Sequence, residues 1–180
     1  MKPKAFRINS VVPLDDENYP LVVQELIRRS TSRFWLAMFL VDPYVYDDRT
    51  GQVRSILRAL RDVHRRCVDV RVLVDRGKGT PAINLANQLT YLLLRSAHVP
   101  CRYYTGARRS MHGKYLIWDT DTIVLGSHNF SSGAFNSHRE SSLLIKSEDL
   151  AAMVATRFLE MWSSSEAANI PHTRQRQQLL

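Results

Sequence analysis

Nine consecutive residues, Arg33-Phe34-Trp35-Leu36-Ala37-Met38-Phe39-Leu40-Val41, carry no charge after the first. The run is far too short to span a membrane, and it lacks the polar interruptions that give a half-wet helix its 3.6-residue period. It predicts a strand buried on both faces, as in a sheet covered by helices on each side. Asp42-Pro43 ends it. The remainder of the chain must then provide those helices and the neighbouring strands.

The flanking segments supply them. A short strand is predicted near Phe6–Val12 and a helix from Pro20 to about Arg29, with Val22/Leu26 and Val23/Ile27 at helical spacing. Gln52–Arg66 reads as an amphipathic helix, with Val53, Ile56, Leu57, Leu60 and Val63 on one stripe. Its other stripe, Arg54, Arg58, Arg61 and Arg65, is either a solvated face or a track for a phosphate backbone. Val68–Val74 is the next strand. The basic loop Asp75–Gly79 follows without a GK[ST] phosphate element. Thr80-Pro81 opens a helix to about Ala97, whose apolar surface is wider than one stripe and suits an interface as well as a core. Val99–Tyr104 and Ser141–Ile145 are further strands, and Ser147-Glu148-Asp149 caps a last helix through about Trp162. This order predicts an α/β sandwich, a mixed central sheet with helices on both faces. Residues 1–165 are expected to form one domain, and 166–180 a flexible polar tail.

Between these elements lies Met111 to Glu140, a stretch that a folding core alone would not choose. Tyr115–Trp118 and Ile123–Leu125 flank Asp119-Thr120-Asp121-Thr122 and read as a β-hairpin. Folded about Thr120 and Asp121, the hairpin pairs Trp118 with Ile123, Leu116 with Leu125, Lys114 with Ser127 and His112 with Asn129. In that register His112, Lys114, Ser127 and Asn129 share one face at the open end, and a slip by one residue would scramble it. The set combines an acid–base or nucleophile, a fixed cation, a hydroxyl and an amide, which is what a phosphoryl group requires. Gly126 beside them would let a substrate approach the backbone. Asp119 and His128 fall on the other parity, which gives Asp119 a structural role beneath the site and His128 a place either in the core or among the residues that support the site.

His112-x-Lys114, four residues, Asp119, six residues, Gly126-Ser127-x-Asn129 resembles the HKD motif of the phospholipase D superfamily. Glu140 resembles the carboxylate that follows this motif in single-motif nucleases of the superfamily, where it hydrogen-bonds the catalytic histidine. Seven positions across 29 residues are fixed. The resemblance implies a phospholipase D-like fold and, since the chain has one motif and no internal repeat, a homodimer joining two copies of His112. One would attack phosphorus to form a phosphohistidine; the other would protonate the leaving oxygen and then activate water. Lys114 and Asn129 would hold phosphoryl oxygens, Ser127 would support them, and Glu140 would orient His112. Arg108 and Arg109, carried towards His112 by the segment Thr105–Ser110, are the expected substrate-phosphate contacts outside the motif. Such a site needs no metal and no cofactor, because lysine and histidine supply the positive charge.

Charge points to the partner. Twenty-five Lys and Arg against 17 Asp and Glu give +8, which favours nucleic acid, an anionic membrane surface, or simply solubility. Cys67 and Cys101 form neither a zinc motif nor a disulfide framework. The basic N-terminus has no apolar core of a secretory signal. With no membrane span evident, a cytoplasmic protein is expected. The functional expectation is a metal-independent nuclease cleaving DNA or RNA. A phospholipase D or phosphatidyltransferase acting on phospholipids is the first alternative, although no exposed amphipathic anchor is evident. A non-catalytic nucleic-acid-binding module is the second. Tyr44, Tyr46 and Asp47, just past the Phe34 run, either line the mouth of the site or belong to an ordinary loop.

Overall fold

The computed structural model describes residues 5–44, 50–77, 79–106 and 110–165. Its elements in chain order are β1 (Ser10–Asp15), α1 (Asn18–Arg29), β2 (Arg33–Met38), α2 (Gln52–Arg65), β3 (Asp69–Asp75), α3 (Pro81–Ser96) and β4 (Cys101–Tyr104). They continue with β5 (Lys114–Trp118), β6 (Thr122–Gly126), α4 (Ser132–Asn136), β7 (Ser141–Lys146) and α5 (Glu148–Ser163). Arg108, Arg109, Tyr46, Asp47 and the polar tail lie outside the described residues.

Seven strands make one sheet in the order β1-β7-β6-β5-β2-β3-β4. β2, β3 and β4 are parallel, and the other neighbours are antiparallel. The sheet is therefore mixed, and helices cover both faces. Strand alternation divides the apolar run as expected. Phe34, Leu36 and Met38 pack with α1, α2 and α3, joined by Val23, Ile27, Ile56, Leu60 and Leu94. Trp35 and Ala37 face the opposite way, against Ala151, Ala155, Phe158 and Trp162 of α5. Each fully buried Leu, Ile or Phe contributes about 1.5–3 kcal/mol, so the central strands are the best-anchored part of the molecule. Ser147 caps α5 by accepting the Leu150 N–H at 3.3 Å. Thr80 precedes α3 without a side-chain cap; Pro81 sets the first turn instead.

The β5–β6 register differs from the expectation by one residue. Ile117 stands opposite Ile123 and Trp118 opposite Thr122, joined by the three-residue connection Asp119–Asp121. A two-residue turn at Thr120-Asp121 would demand positive φ at its central residues, which β-branched Thr resists. The structure instead puts the one left-handed residue at Asp119, with φ 47°, where aspartate is tolerated.

Candidate active site

The open end of the hairpin meets the C-terminal ends of β2 and β3, the place where open α/β sheets collect ligands. Backbone hydrogen bonds tie the segments together: Phe39 N–H to Gly113 O at 3.1 Å, Phe130 N–H to Leu40 O at 3.0 Å, and Asp42 N–H to Phe130 O at 2.7 Å. Phe39–Val41 thus lies between the His112 segment and the Asn129 segment. Two residues that local sequence patterns did not single out hold this seam. Asn87 of α3, fully buried, donates to Phe39 O and Asp75 O, both at 2.8 Å, and accepts the Val41 N–H at 2.9 Å. Asp75, at the end of β3, accepts the Met111 N–H. Neither carries a local signal: Asp75 opens the basic loop, and Asn87 is one of several polar residues of α3, with Asn84, Gln88 and Thr90.

His112 is exposed and tilted against the Phe39 ring, 4.4 Å between centroids. Lys114 Nζ donates to His112 O at 3.0 Å and lies 3.3 Å from His112 Nδ1. An ammonium can only donate, so Nδ1 accepts and the imidazole proton sits on Nε2. Burial holds the Lys114 pKa below the ordinary lysine value, and the Glu140 charge restores part of the difference.

The one-residue shift regroups the expected face. Carried one step beyond the Tyr115–Leu125 pair, Lys114 stands opposite Gly126, not Ser127. Ser127 turns to β7: its Oγ accepts the Ser141 N–H at 3.0 Å and donates to Ser141 O at 3.3 Å. Asn129 is half-buried, its Oδ1 turned inward without a hydrogen-bond partner among the described residues. Gly126 is not an opening for substrate on its Cα side. A Cβ there would meet Ser142 Oγ at 2.1 Å and Ser141 O at 2.4 Å, so the bare Cα admits β7. The admitted Ser142 Oγ lies 2.8 Å from His128 Nδ1.

Of the two places its parity allowed, His128 takes the core. It is fully buried and stacked on Tyr19, 4.0 Å between centroids and 2° between planes. Burial lowers its pKa, against the pull of the Glu140, Asp16 and Asp15 charges. Glu140 does not hydrogen-bond His112 among the described residues. Its Oε1 lies 3.8 Å from His138 Nδ1, and its backbone N–H donates to Asp16 Oδ1 at 2.6 Å. That bond, with Arg139, lowers the Asp16 pKa.

Asp119 is at the wrong end for chemistry. The strand from Lys114 to Asp119 spans roughly 17 Å at the usual rise per residue. Its carboxylate accepts the backbone N–H groups of Thr31, Ser32 and Arg33 and both hydroxyls of Thr31 and Ser32, at 2.8–3.3 Å. It fastens the hairpin tip to the α1–β2 corner, not beneath the site.

Among the described residues no three His, Cys, Asp or Glu side chains come together to hold a metal ion, and no helix is long and apolar enough to cross a membrane. Cys67 and Cys101 are free thiols.

Residues 23–162 match the pattern of the family described as "Cardiolipin synthase, PLD-like domain". A mitochondrial cardiolipin hydrolase of Danio rerio is 29% identical over 113 residues, 63% of this chain and 48% of the relative. The chain thus spans about half the length of that curated relative. Among solved structures, the phospholipase D family member Nuc from Salmonella typhimurium superposes with a TM-score of 0.72 at 20% identity, covering 87% of this chain and 96% of Nuc. NucT from Helicobacter pylori gives 0.68 at 16% identity, covering 88% and 99%.

Proposed function

The chain belongs to the phospholipase D superfamily, and on that premise we propose that it is a metal-independent phosphodiesterase, a nuclease cleaving DNA or RNA at a homodimer interface. The supporting observation is the His112–Lys114 pair, an exposed imidazole with an ammonium 3.3 Å from Nδ1 at the strand ends. The proton donor must be the imidazolium, protonated on both nitrogens, so on that ring Lys114 turns away from Nδ1. In the reaction one subunit's His112 attacks phosphorus through Nε2, which requires its proton to sit on Nδ1. The P–N bond forms as the P–O bond breaks, and the leaving oxygen takes the proton from Nε2 of the partner subunit's His112, which starts as the imidazolium and is left neutral. Water then attacks phosphorus, gives its proton back to that second imidazole, and releases the first.

Lys114 leaves Nδ1 in the attacking subunit to meet a phosphoryl oxygen, where it neutralises developing charge. Asn129, its carbonyl turned inward, presents its NH2 as a second donor. Ser127 serves by fixing the end of β6 on β7, and Arg108 and Arg109, close to His112 in the sequence, are the proposed further phosphate contacts. The excess of basic residues, +8 overall, favours a polyanionic substrate.

A second reading rests on the family match and the cardiolipin hydrolase relative: a phospholipid phosphodiester as substrate. Incubating the purified chain in EDTA with single-stranded DNA, duplex DNA, RNA and phospholipid separates the two. Cleavage of nucleic acid, weakening as salt rises, is expected. Turnover of the lipid alone would overturn the nuclease reading, and restoration only by a divalent cation would overturn the mechanism.

A further inference from the structure

The outer face of α3 carries almost no charge. Within Pro81–Ser96 the sole charged residue is Arg95, in the last turn. Ala86, Asn87, Thr90, Tyr91 and Leu94 seat the helix on the core. On the solvent side Leu85 is 54% exposed, Leu92 47% and Leu93 41%. Leu85 and Leu92 are two turns apart and share one line along the helix, with Leu93 beside it. A single exposed leucine is ordinary; three on one uncharged face are not.

Next to this face, α2 brings Arg54, Arg58 and Arg61 to one wall of a groove of about 320 Å³, opposite Leu93, Leu94 and Ala97. Among the described residues no carboxylate lines it. Asp62 is the sole acidic residue of either helix, and it is held by Arg61 at 2.8 Å. Arg58 makes no ion pair among the described residues. Leucines flanked by arginines, with acid excluded, match the boundary between acyl chains and anionic headgroups.

We propose that the α2–α3 surface docks the protein on an anionic phospholipid bilayer, with Leu85, Leu92 and Leu93 entering the acyl boundary and Arg54, Arg58 and Arg61 meeting lipid phosphates. A nucleic-acid backbone would use the arginines and leave the leucines in water. A second copy seated by two-fold symmetry would bring the basic row towards itself. The docking is independent of which phosphodiester the active site cleaves.

The test uses the full chain carrying His112→Ala, which leaves vesicle lipid intact, and vesicles of phosphatidylcholine with or without phosphatidylglycerol. Sedimentation with the anionic vesicles at low salt, and not with phosphatidylcholine alone, is expected. Paired Leu92→Gln and Leu93→Gln substitutions, and separately Arg58→Glu, lower the bound fraction on the order of tenfold. Circular dichroism of these surface variants stays unchanged. Absence of sedimentation, equal binding to neutral vesicles, or undiminished binding by the leucine variant overturns the proposal. So does analytical ultracentrifugation in which that variant turns a dimer into a monomer while vesicle binding persists. Nucleic-acid cleavage by the chain with His112 intact is scored separately, so failure there leaves the docking result standing.

Discussion

Asp75 accepts the Met111 N–H on Oδ2 at 2.6 Å while its Oδ1 takes the Gly77 N–H at 2.7 Å. One buried carboxylate thus sets the chain immediately before His112 against the end of β3. Asparagine has one acceptor oxygen where aspartate has two. Asp75→Asn leaves a buried N–H facing an NH2 group, at a cost of about 1–3 kcal/mol. A fall in Tm of roughly 3–8 °C is expected in calorimetry. Displacement of His112 should lower kcat more than it raises KM. A variant with wild-type Tm and kcat would show that Asp75 does not aim the imidazole.

His112→Ala should abolish phosphodiester cleavage and leave the circular dichroism spectrum unaltered, because the ring is exposed and packs against the Phe39 ring rather than inside the core. Near-normal turnover in that variant would remove the basis of the mechanism.

Lys114 must act as an ammonium. Burial lowers its pKa and the Glu140 charge opposes the fall. The basic limb of kcat/KM is therefore expected below the range of an ordinary lysine, and Glu140→Gln should move it further towards neutral pH. A limb that stays put, or moves up, would show that Glu140 does not act through this charge.

Asp119 predicts an effect on stability with none on chemistry. Burial alone would raise its pKa, but the N–H groups of Ser32, Arg33 and Thr31 bring it below the usual value. A carboxyl with a depressed folded pKa stabilises above the unfolded value of about 3.9 and loses that contribution as pH falls through the folded one. Asp119→Asn should cost about 1–2 kcal/mol at pH 7, allowing for solvent screening. Urea denaturation at pH 7 and below pH 4 should show the gap closing in acid, while kcat of the folded protein is unaffected.

Gly126→Ala introduces a Cβ into Ser142 Oγ, Ser141 O and Ser142 Cα. Overpacking of this kind costs about 1–3 kcal/mol or more. Ser142→Ala should not rescue it, because Ser141 O and Ser142 Cα both stand at 2.4 Å. Full rescue measured by Tm would mean that only the hydroxyl was in the way.

The elements legible in the sequence were those written in neighbouring residues. The Phe34 run gave its strand, the Val53–Val63 stripe its helix, and Ser147 its cap. Register was not legible, because it turned on whether Asp119 or Thr120 took the unusual backbone conformation. His112 and Lys114 were found by residue type and spacing, and the structure joins them. The partners of Ser127 and Gly126 lie on β7, and Glu140 meets Asp16, 124 residues away in the chain, contacts that no local pattern encodes. Asp75 and Asn87 carry no local signal for the same reason: their partners are backbone groups of distant segments.

β5 is the fourth of seven strands, with three on either side. Fraying starts where a sheet has a free edge, so hydrogen exchange should erode β1 and β4 long before it reaches the strand that bears Lys114. Catalytic competence and global foldedness should then vanish together on heating, leaving no window in which an inactive but otherwise native protein accumulates.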